Sequence, residues 1–369
     1  MFAHTTLTHA FTLKALSIAV LVAAGGSVAG PAMSDDFYEG KTIEMVVPFG
    51  EGGATYVAAQ FLRPFLEKHL PGNPRVDVQT RPGGGSILGA NWFEQNAEPD
   101  GETILFTTSS TSNPYVLDME EVEYDLAAMR PAYSLPFGAV IYVSPNTGID
   151  SPAGLREPDM PLIYGGIAAA ASDLPTLLAF ELLDLEIQAV LGFDGRGPAR
   201  LAFERGETNI DFQFTPAYMS QVVDMVEAGS AVPIMTGGSV GDDGVLSERD
   251  TAFPDYPSVH EVYEELYGEA PSGVEWDAYQ SIGAATFNYG LTAYLPEGTP
   301  DEILDIFEET IAAINDDPEY QEQSMDAIGG YSLLPASEVT ESLREALQPS
   351  DEVREHLRTL LAEEYDVDF

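Results

Sequence analysis

Apolar residues fall in two rhythms along this chain, and their alternation sets the expected fold. Short, nearly continuous apolar or β-branched runs read as strands: "IEMVVP" (43–48), "RVDVQT" (75–80), "TILFTT" (103–108), "AVIYVS" (139–144), "PLIYG" (161–165), "IQAVLGF" (187–193), "NIDFQF" (209–214), "AVPIMT" (231–236) and "LTAYLP" (291–296). Between most of them the spacing is helical, as over 58–70, 174–185, 198–205 and 218–228. Strand alternating with helix predicts an α/β fold with parallel sheets, and runs apolar on both faces fit strands buried on both sides. From Thr299 the rhythm changes to four successive capped helices, over 299–316, 318–330, 335–347 and 349–365.

The length, 369 residues, favours two domains over one core. Two stretches read as crossings between them, "MRPAYSLPFG" (129–138) and "YQSIGAATFNYG" (279–290). Two crossings imply a discontinuous first domain, 33–137 plus 283–369, around a second of 138–282. The acidic, turn-rich stretch 237–258 reads as a surface excursion of the second domain. Residues 1–32 read as a secretory signal. Lys14 precedes the apolar run "ALSIAVLVAA" (15–24), small residues follow, and cleavage is expected after Ala32, or failing that after Ala29. That run is too short to span a bilayer and no later one is longer, so no stable membrane insertion is expected.

Charge narrows the partners. Asp plus Glu number 61 against 15 Lys plus Arg, a formal charge of -46, which repels nucleic acid, anionic membranes and approaching anions. The acid is spread along the whole mature chain, as suits a halophilic or marine source, because about 1 M salt shortens the Debye length to about 3 Å. Cysteine is absent, which excludes disulfides, thiol catalysis, cysteine-held metal and a lipid anchor through an N-terminal cysteine. An exported, freely diffusing monomer is expected, in the periplasm of a two-membrane cell.

Two stretches then stand out, "VVPFGEGGATYV" (46–57) and "VQTRPGGGSILGA" (78–90). Each runs from a strand through a glycine cluster into a helix. Such a turn leaves backbone N–H groups unpaired beside the positive end of the helix dipole, which makes an anion site. Neither has the Lys-Ser/Thr of a P-loop or the six-residue glycine spacing of a dinucleotide fold, and tight structural turns are the plainer reading of either alone. In an open sheet two such turns on neighbouring strands converge on one crevice.

These segments, with Pro99-Asp100-Gly101, "LGFDGRGPARLAFERGETNIDF" (191–212) and "LPEGTPDEILDIFEETI" (295–311), resemble the solute-binding proteins of tripartite tricarboxylate transporters over nearly the whole mature chain. The resemblance implies a type II periplasmic-binding-protein fold: two α/β domains, a ligand cleft between them, and a helical C-terminal tail packed on the first domain. It implies capture of a small carboxylate for an integral-membrane permease, with no cofactor and no metal. By position it implies a first-domain cradle of Phe49, Gly50, Gly52, Gly53, Ala54 and Thr55 with Gly83, Gly84, Gly85 and Ser86. Facing it are Ser172 in "IAAAASDLPT" and Gly195, Arg196 and Pro198 in "FDGRGPA". Ser109 and Ser110, after the strand at 103–108, point hydroxyls into the crevice or else cap a helix. The chain departs from the family pattern at Tyr56, where an aspartate is usual, and at Phe193-Asp194.

Arg196 is the candidate direct cation for the ligand; the alternative is a surface charge paired with Asp194 or Glu204. Arg81 reads as a brace for the second turn. The mature chain has three histidines, His69, His260 and His356, far apart in sequence, and no GxSxG or HExxH motif, so an enzyme using the cleft is the weaker reading. A ligand-binding input module for a sensor kinase is the other alternative. "GDDG" (241–244) lacks the alternating oxygen ligands of a calcium loop.

Overall fold

The computed structural model describes residues 36–241 and 244–369. The segment read as a secretory signal lies outside them, as do Asp242 and Asp243. The chain makes one lap through each of two sheets and returns to the first. The first lap is β1 (Thr42–Val47), α1 (Ala54–His69), β2 (Arg75–Thr80), α2 (Ile87–Asn96), β3 (Thr103–Thr107), α3 (Ser109–Val116) and β4 (Arg130–Leu135). The second opens with β5 (Ala139–Val143), β6 (Leu162–Gly165), α4 (Leu174–Leu182), β7 (Ile187–Val190), α5 (Arg196–Glu204) and β8 (Ile210–Phe214). It continues through α6 (Thr215–Gln221), α7 (Val223–Glu227), β9 (Val232–Thr236), a hairpin of β10 (Ser239–Val240) and β11 (Leu246–Glu248), α8 (Val259–Tyr267) and α9 (Val274–Asn288). The return is β12 (Leu291–Leu295), α10 (Asp301–Asn315), α11 (Pro318–Ile328), β13 (Leu334–Pro335), α12 (Ala336–Ala346) and α13 (Asp351–Tyr365).

The first sheet has the order β13-β4-β12-β3-β1-β2 and the second β7-β6-β8-β5-β9. The expectation of parallel sheets holds only in part. β1 runs parallel to β2 and β3, and β6 parallel to β7 and β8, each joined through helices as parallel neighbours require. β12 is antiparallel to β3 and β4, and β5 is antiparallel to β8 and β9. These two strands carry the chain in from the other half, so they enter their sheets from the opposite end.

Both expected crossings contain regular structure. Most of 129–138 is β4, whose Pro131 faces Tyr294 where the β4–β12 register shifts, a place where a missing N–H is tolerated. Most of 279–290 is the last part of α9. Gly283 lies inside that helix because a Cβ there would come within 2.6 Å of Leu246 Cδ2. The Phe137 amide, just after β4, donates to the Phe287 carbonyl near the end of α9 at 3.1 Å, tying the two crossings together.

The stretch 237–258 is not wholly a surface excursion. Leu246, Asp250 and Ser258 in it are buried. Tyr331, from the tail, donates its hydroxyl to Asp250, and burial raises the Asp250 carboxyl pKa despite that bond. Each half has its own apolar core, with Val46, Phe93, Leu105 and Tyr294 in one and Val140, Tyr142, Phe203 and Tyr218 in the other. The tail closes the first core through Leu343 of α12, while α13 fastens to Asp118 and the Leu117 carbonyl through Arg354 and Arg358. On its other side His356 faces Glu181 of α4 at 3.5 Å, so the last helix touches both halves.

Candidate functional site

A cavity of about 670 Å³ opens between the ends of the two sheets, lined from both. Its first wall is built from the two glycine turns. After β1 the chain passes Phe49 and Gly50 into α1, whose N-terminus has no side-chain cap. The amides of Ala54, Thr55 and Tyr56 make no hydrogen bond to another described residue. After β2, Gly83, Gly84 and Gly85 all hold positive φ, at 138°, 57° and 68°, which a side chain there would strain. The Gly84 and Gly85 amides are likewise without a partner among the described residues.

Ser86, at φ 129°, is in the same region without being glycine. It is held there by its hydroxyl, which donates to the Ser110 carbonyl at 2.9 Å and lies 2.9 Å from Thr111 Oγ1. Arg81 lies against Trp92, 3.4 Å from the ring centroid, and pairs with Glu44 at 3.0 Å. It therefore braces the turn from behind.

The second wall is built differently. Asp173, fully buried, accepts from the Ile167 and Ala168 amides at 2.9 and 3.3 Å, so two N–H groups at the cavity edge are already engaged. α5 starts uncapped after Gly195, but its third residue is Pro198, which has no N–H. The amides from Asp194 to Gly197 remain without a partner among the described residues.

Arg196 departs from the expected alternative of a surface charge paired with Asp194 or Glu204. It is buried, its partners are neither Asp194 nor Glu204, and its terminal nitrogens are engaged by protein groups, while Nε has no hydrogen-bond partner among the described residues. Nη1 donates to the Gly165 carbonyl at 2.8 Å, Asp173 at 2.9 Å and the Tyr164 hydroxyl at 3.2 Å. Nη2 donates to Asp211 and to the Phe212 carbonyl at 2.8 Å. The guanidinium carbon lies 4.1 Å from the Phe212 ring centroid. Burial opposes the arginine's charge, but Asp211, Tyr164 and Asp173 outweigh it and raise its pKa. Burial also raises the Asp211 carboxyl, with Arg196 acting against that shift. The two carboxylates lie 15 and 23 residues from Arg196 along the chain, so only the fold unites them.

Thirteen of the residues proposed from sequence line the cavity: Phe49, Gly50, Gly53, Ala54, Thr55, Gly83, Gly84, Gly85, Ser86, Ser172, Gly195, Arg196 and Pro198. Gly52 does not line it; its carbonyl accepts from Gln221 of the second half at 3.1 Å. Ser109 faces a separate small pocket between α3 and the return strand. Ser110 is fully buried, its hydroxyl accepting from the Ser172 amide at 2.9 Å, and the helix cap is the neighbouring Thr108. Tyr56 does not line the cavity either.

Sequence reading passed over Glu51, Thr108, Ile167, Ala168 and Phe214, which do line it. Small apolar residues in an alanine run and a core-spaced phenylalanine carry no local signal of exposure to a cleft. The halves already touch around the cavity. Asn113 Nδ2 donates to the Ala171 carbonyl at 2.9 Å, and a Cβ on Gly197 would lie 3.5 Å from Gly52.

Among the described residues no histidine lines the cavity. His69 bonds Asp317 at 2.7 Å, His260 lies beside Trp276, and His356 faces Glu181. Among the described residues no three His, Cys, Asp or Glu side chains are placed to hold a metal ion, and no helix is long and apolar enough to cross a membrane.

Comparison with known proteins gives the context. No protein-family model matches the chain. Protein BugT of Bordetella pertussis is 30% identical over 257 residues, covering 66% of this chain and 72% of that protein. Among solved structures, the periplasmic binding protein BugD superposes with a TM-score of 0.64 at 18% identity, covering 88% of this chain and 97% of that one. The R. palustris protein Rpa4515 with adipate superposes with a TM-score of 0.65 at 19% identity, covering 87% and 96%. At such identities the two structures speak to the fold.

Proposed function

The chain belongs to the Bug/TctC family of solute-binding proteins of tripartite tricarboxylate transporters, and from that premise we propose that it captures a small organic acid in the cleft and delivers it to a membrane permease. The family is one of binding proteins rather than enzymes. The observation that carries the reading is the first wall: an uncapped helix N-terminus and a run of glycines bring the unpartnered amides of four lining residues, Ala54, Thr55, Gly84 and Gly85, to one cavity. Two hydroxyls, Thr55 and Ser172, line the same space from opposite halves and bond no other described residue. A carboxylate there meets oriented N–H groups and the positive end of a helix dipole, which is the local attraction a protein of charge -46 needs for an anion.

We take the first domain as 33–137 plus 283–369 and the second as 138–282, closing on the ligand about the paired crossings at Phe137 and Phe287. The working site is the periplasm, reached through residues 1–32 as a secretory signal, and the working form is a monomer. The acidic surface suits a salty medium. A structural neighbour carries adipate, an organic acid of the proposed kind.

A thermal-shift screen in about 1 M salt tests this against mono-, di- and tricarboxylates, aromatic acids and acidic amino acids. A ligand at about 100 times its dissociation constant should add about 2.7 kcal/mol of stability. Shifts from neutral solutes, with none from any acid, would sink the proposal.

A further inference from the structure

The walls of the cavity differ in what they offer a charged group, and the difference bears on the ligand. Three charged residues line it: Glu51 and Asp194, both exposed and in no ion pair among the described residues, and Arg196. Arg196 is the only cation of the three; its terminal N–H groups point to the Tyr164 hydroxyl, the Gly165 and Phe212 carbonyls, Asp173 and Asp211, and only Nε lacks a partner among the described residues. One arginine set against two buried carboxylates leaves the cluster behind α5 with no positive charge to extend into the cavity, whatever the protonation of Asp211.

The first turn of α5 also lacks an N–H at Pro198, and Asp194 stands at its mouth. The remaining second-wall surface is uncharged: Ile167, Ala168, Phe193 and Phe214 with the Ser172 hydroxyl. On the first wall the free amides of Ala54, Thr55, Gly84 and Gly85 have no buried carboxylate behind them. A carboxylate placed against the second wall would meet the α5 amides beside Asp194, with a cluster behind them that holds two carboxyl groups to one arginine, and so a weaker attraction than at the first wall.

We propose that the ligand is a monocarboxylic acid, its one carboxylate seated on the first-wall amides and an uncharged, largely apolar body lying against Ile167, Ala168, Phe193 and Phe214. This rests on the organic-acid reading above and narrows it. The second-wall amides from Asp194 to Gly197 then receive at most a neutral acceptor such as a carbonyl or hydroxyl oxygen.

Titration calorimetry of the purified full chain in high salt tests the assignment with matched sets: hexanoate, adipate and hexanamide, and benzoate, phthalate and benzamide. The expected result is that at least one monocarboxylate binds tenfold or more tightly than its dicarboxylate partner, while its amide binds at least tenfold more weakly. If adipate or phthalate binds more tightly than its monocarboxylate, this inference is overturned and the organic-acid reading stands. If the amides bind as tightly as the acids, or nothing in either set binds, both are overturned. Asp194→Lys adds a cation at the second wall and should narrow the gap between hexanoate and adipate at least threefold; an unchanged ratio counts against the inference.

Discussion

The two walls of the cleft are made from the same part, a glycine turn opening a helix and leaving its first amides unpartnered, yet they differ in the charge gathered behind those amides. At the first wall the turns at Gly50–Thr55 and Gly83–Ser86 leave their amides open to the cavity, and the nearby arginine, Arg81, is turned outward onto Trp92 and Glu44. At the second wall the turn at Gly195 is fastened from behind, with Arg196 drawn inward to two carboxylates and Asp173 engaging the amides of Ile167 and Ala168. The comparison teaches that a glycine turn and an arginine in sequence do not by themselves make an anion site. For Arg196 and for the Ile167 and Ala168 amides the fold brings a carboxylate to the donors first.

The largest effect should come from breaking the second wall's cluster. Arg196→Ala leaves Asp173 and Asp211 buried without their cation and should destabilise the protein by about 3–5 kcal/mol in urea unfolding, the range for losing one partner of a buried pair. A variant as stable as the parent but unable to bind acids would mean that the arginine serves the ligand directly.

Next is the packing behind the first wall. A Cβ on Gly89 would lie 2.7 Å from Pro48 Cβ and 2.5 Å from the Arg81 carbonyl oxygen, so Gly89→Ala should cost about 1–3 kcal/mol of stability. An unchanged unfolding midpoint would show that α2 yields freely there and that the first wall is not rigid.

A smaller effect sharpens the contrast directly. Thr55→Ala and Ser172→Ala each remove one hydroxyl from one wall. The first should weaken acid binding by about 0.5–1.5 kcal/mol, up to roughly tenfold by calorimetry, and the second by less. The reverse order would place the carboxylate on the second half.

The mildest test lies away from both walls. Hydrogen bonds from Lys68, His69 and the Glu319 amide hold the Asp317 carboxyl well below its ordinary pKa. A carboxylate whose folded pKa is lowered contributes stability above its unfolded value, about 3.9, and loses it as pH falls through the folded one. The parent should therefore lose stability steadily below about pH 4, and Asp317→Asn should flatten that slope without altering acid binding. An equally steep slope in the variant would assign the acid sensitivity to other carboxylates.

Much of this was legible in the chain because its signals are local. β2 falls on the "RVDVQT" run residue for residue, and the four tail helices lie where caps and periodicity placed them. Both first-wall turns announce themselves as glycines between a strand and a helix. What failed was non-local. β4 lies in a stretch read as a crossing, and pairing with β12, more than 150 residues away, and with β13 makes it a strand. Arg196 reads as available because Asp173 and Asp211 are distant in sequence. Ser109 and Ser110 read as crevice residues because nothing in "TTSS" reveals that Thr108 takes the cap and that Ser110 reaches across to the Ser172 amide.

The most direct measurement is a crystal structure of the protein with whichever acid gives the largest thermal shift. One carboxylate is expected within hydrogen-bond distance of the Ala54, Thr55, Gly84 and Gly85 amides, with Arg196 still bound to Asp173 and Asp211. A carboxylate seated instead on Arg196, or a ligand outside the cleft, would contradict it.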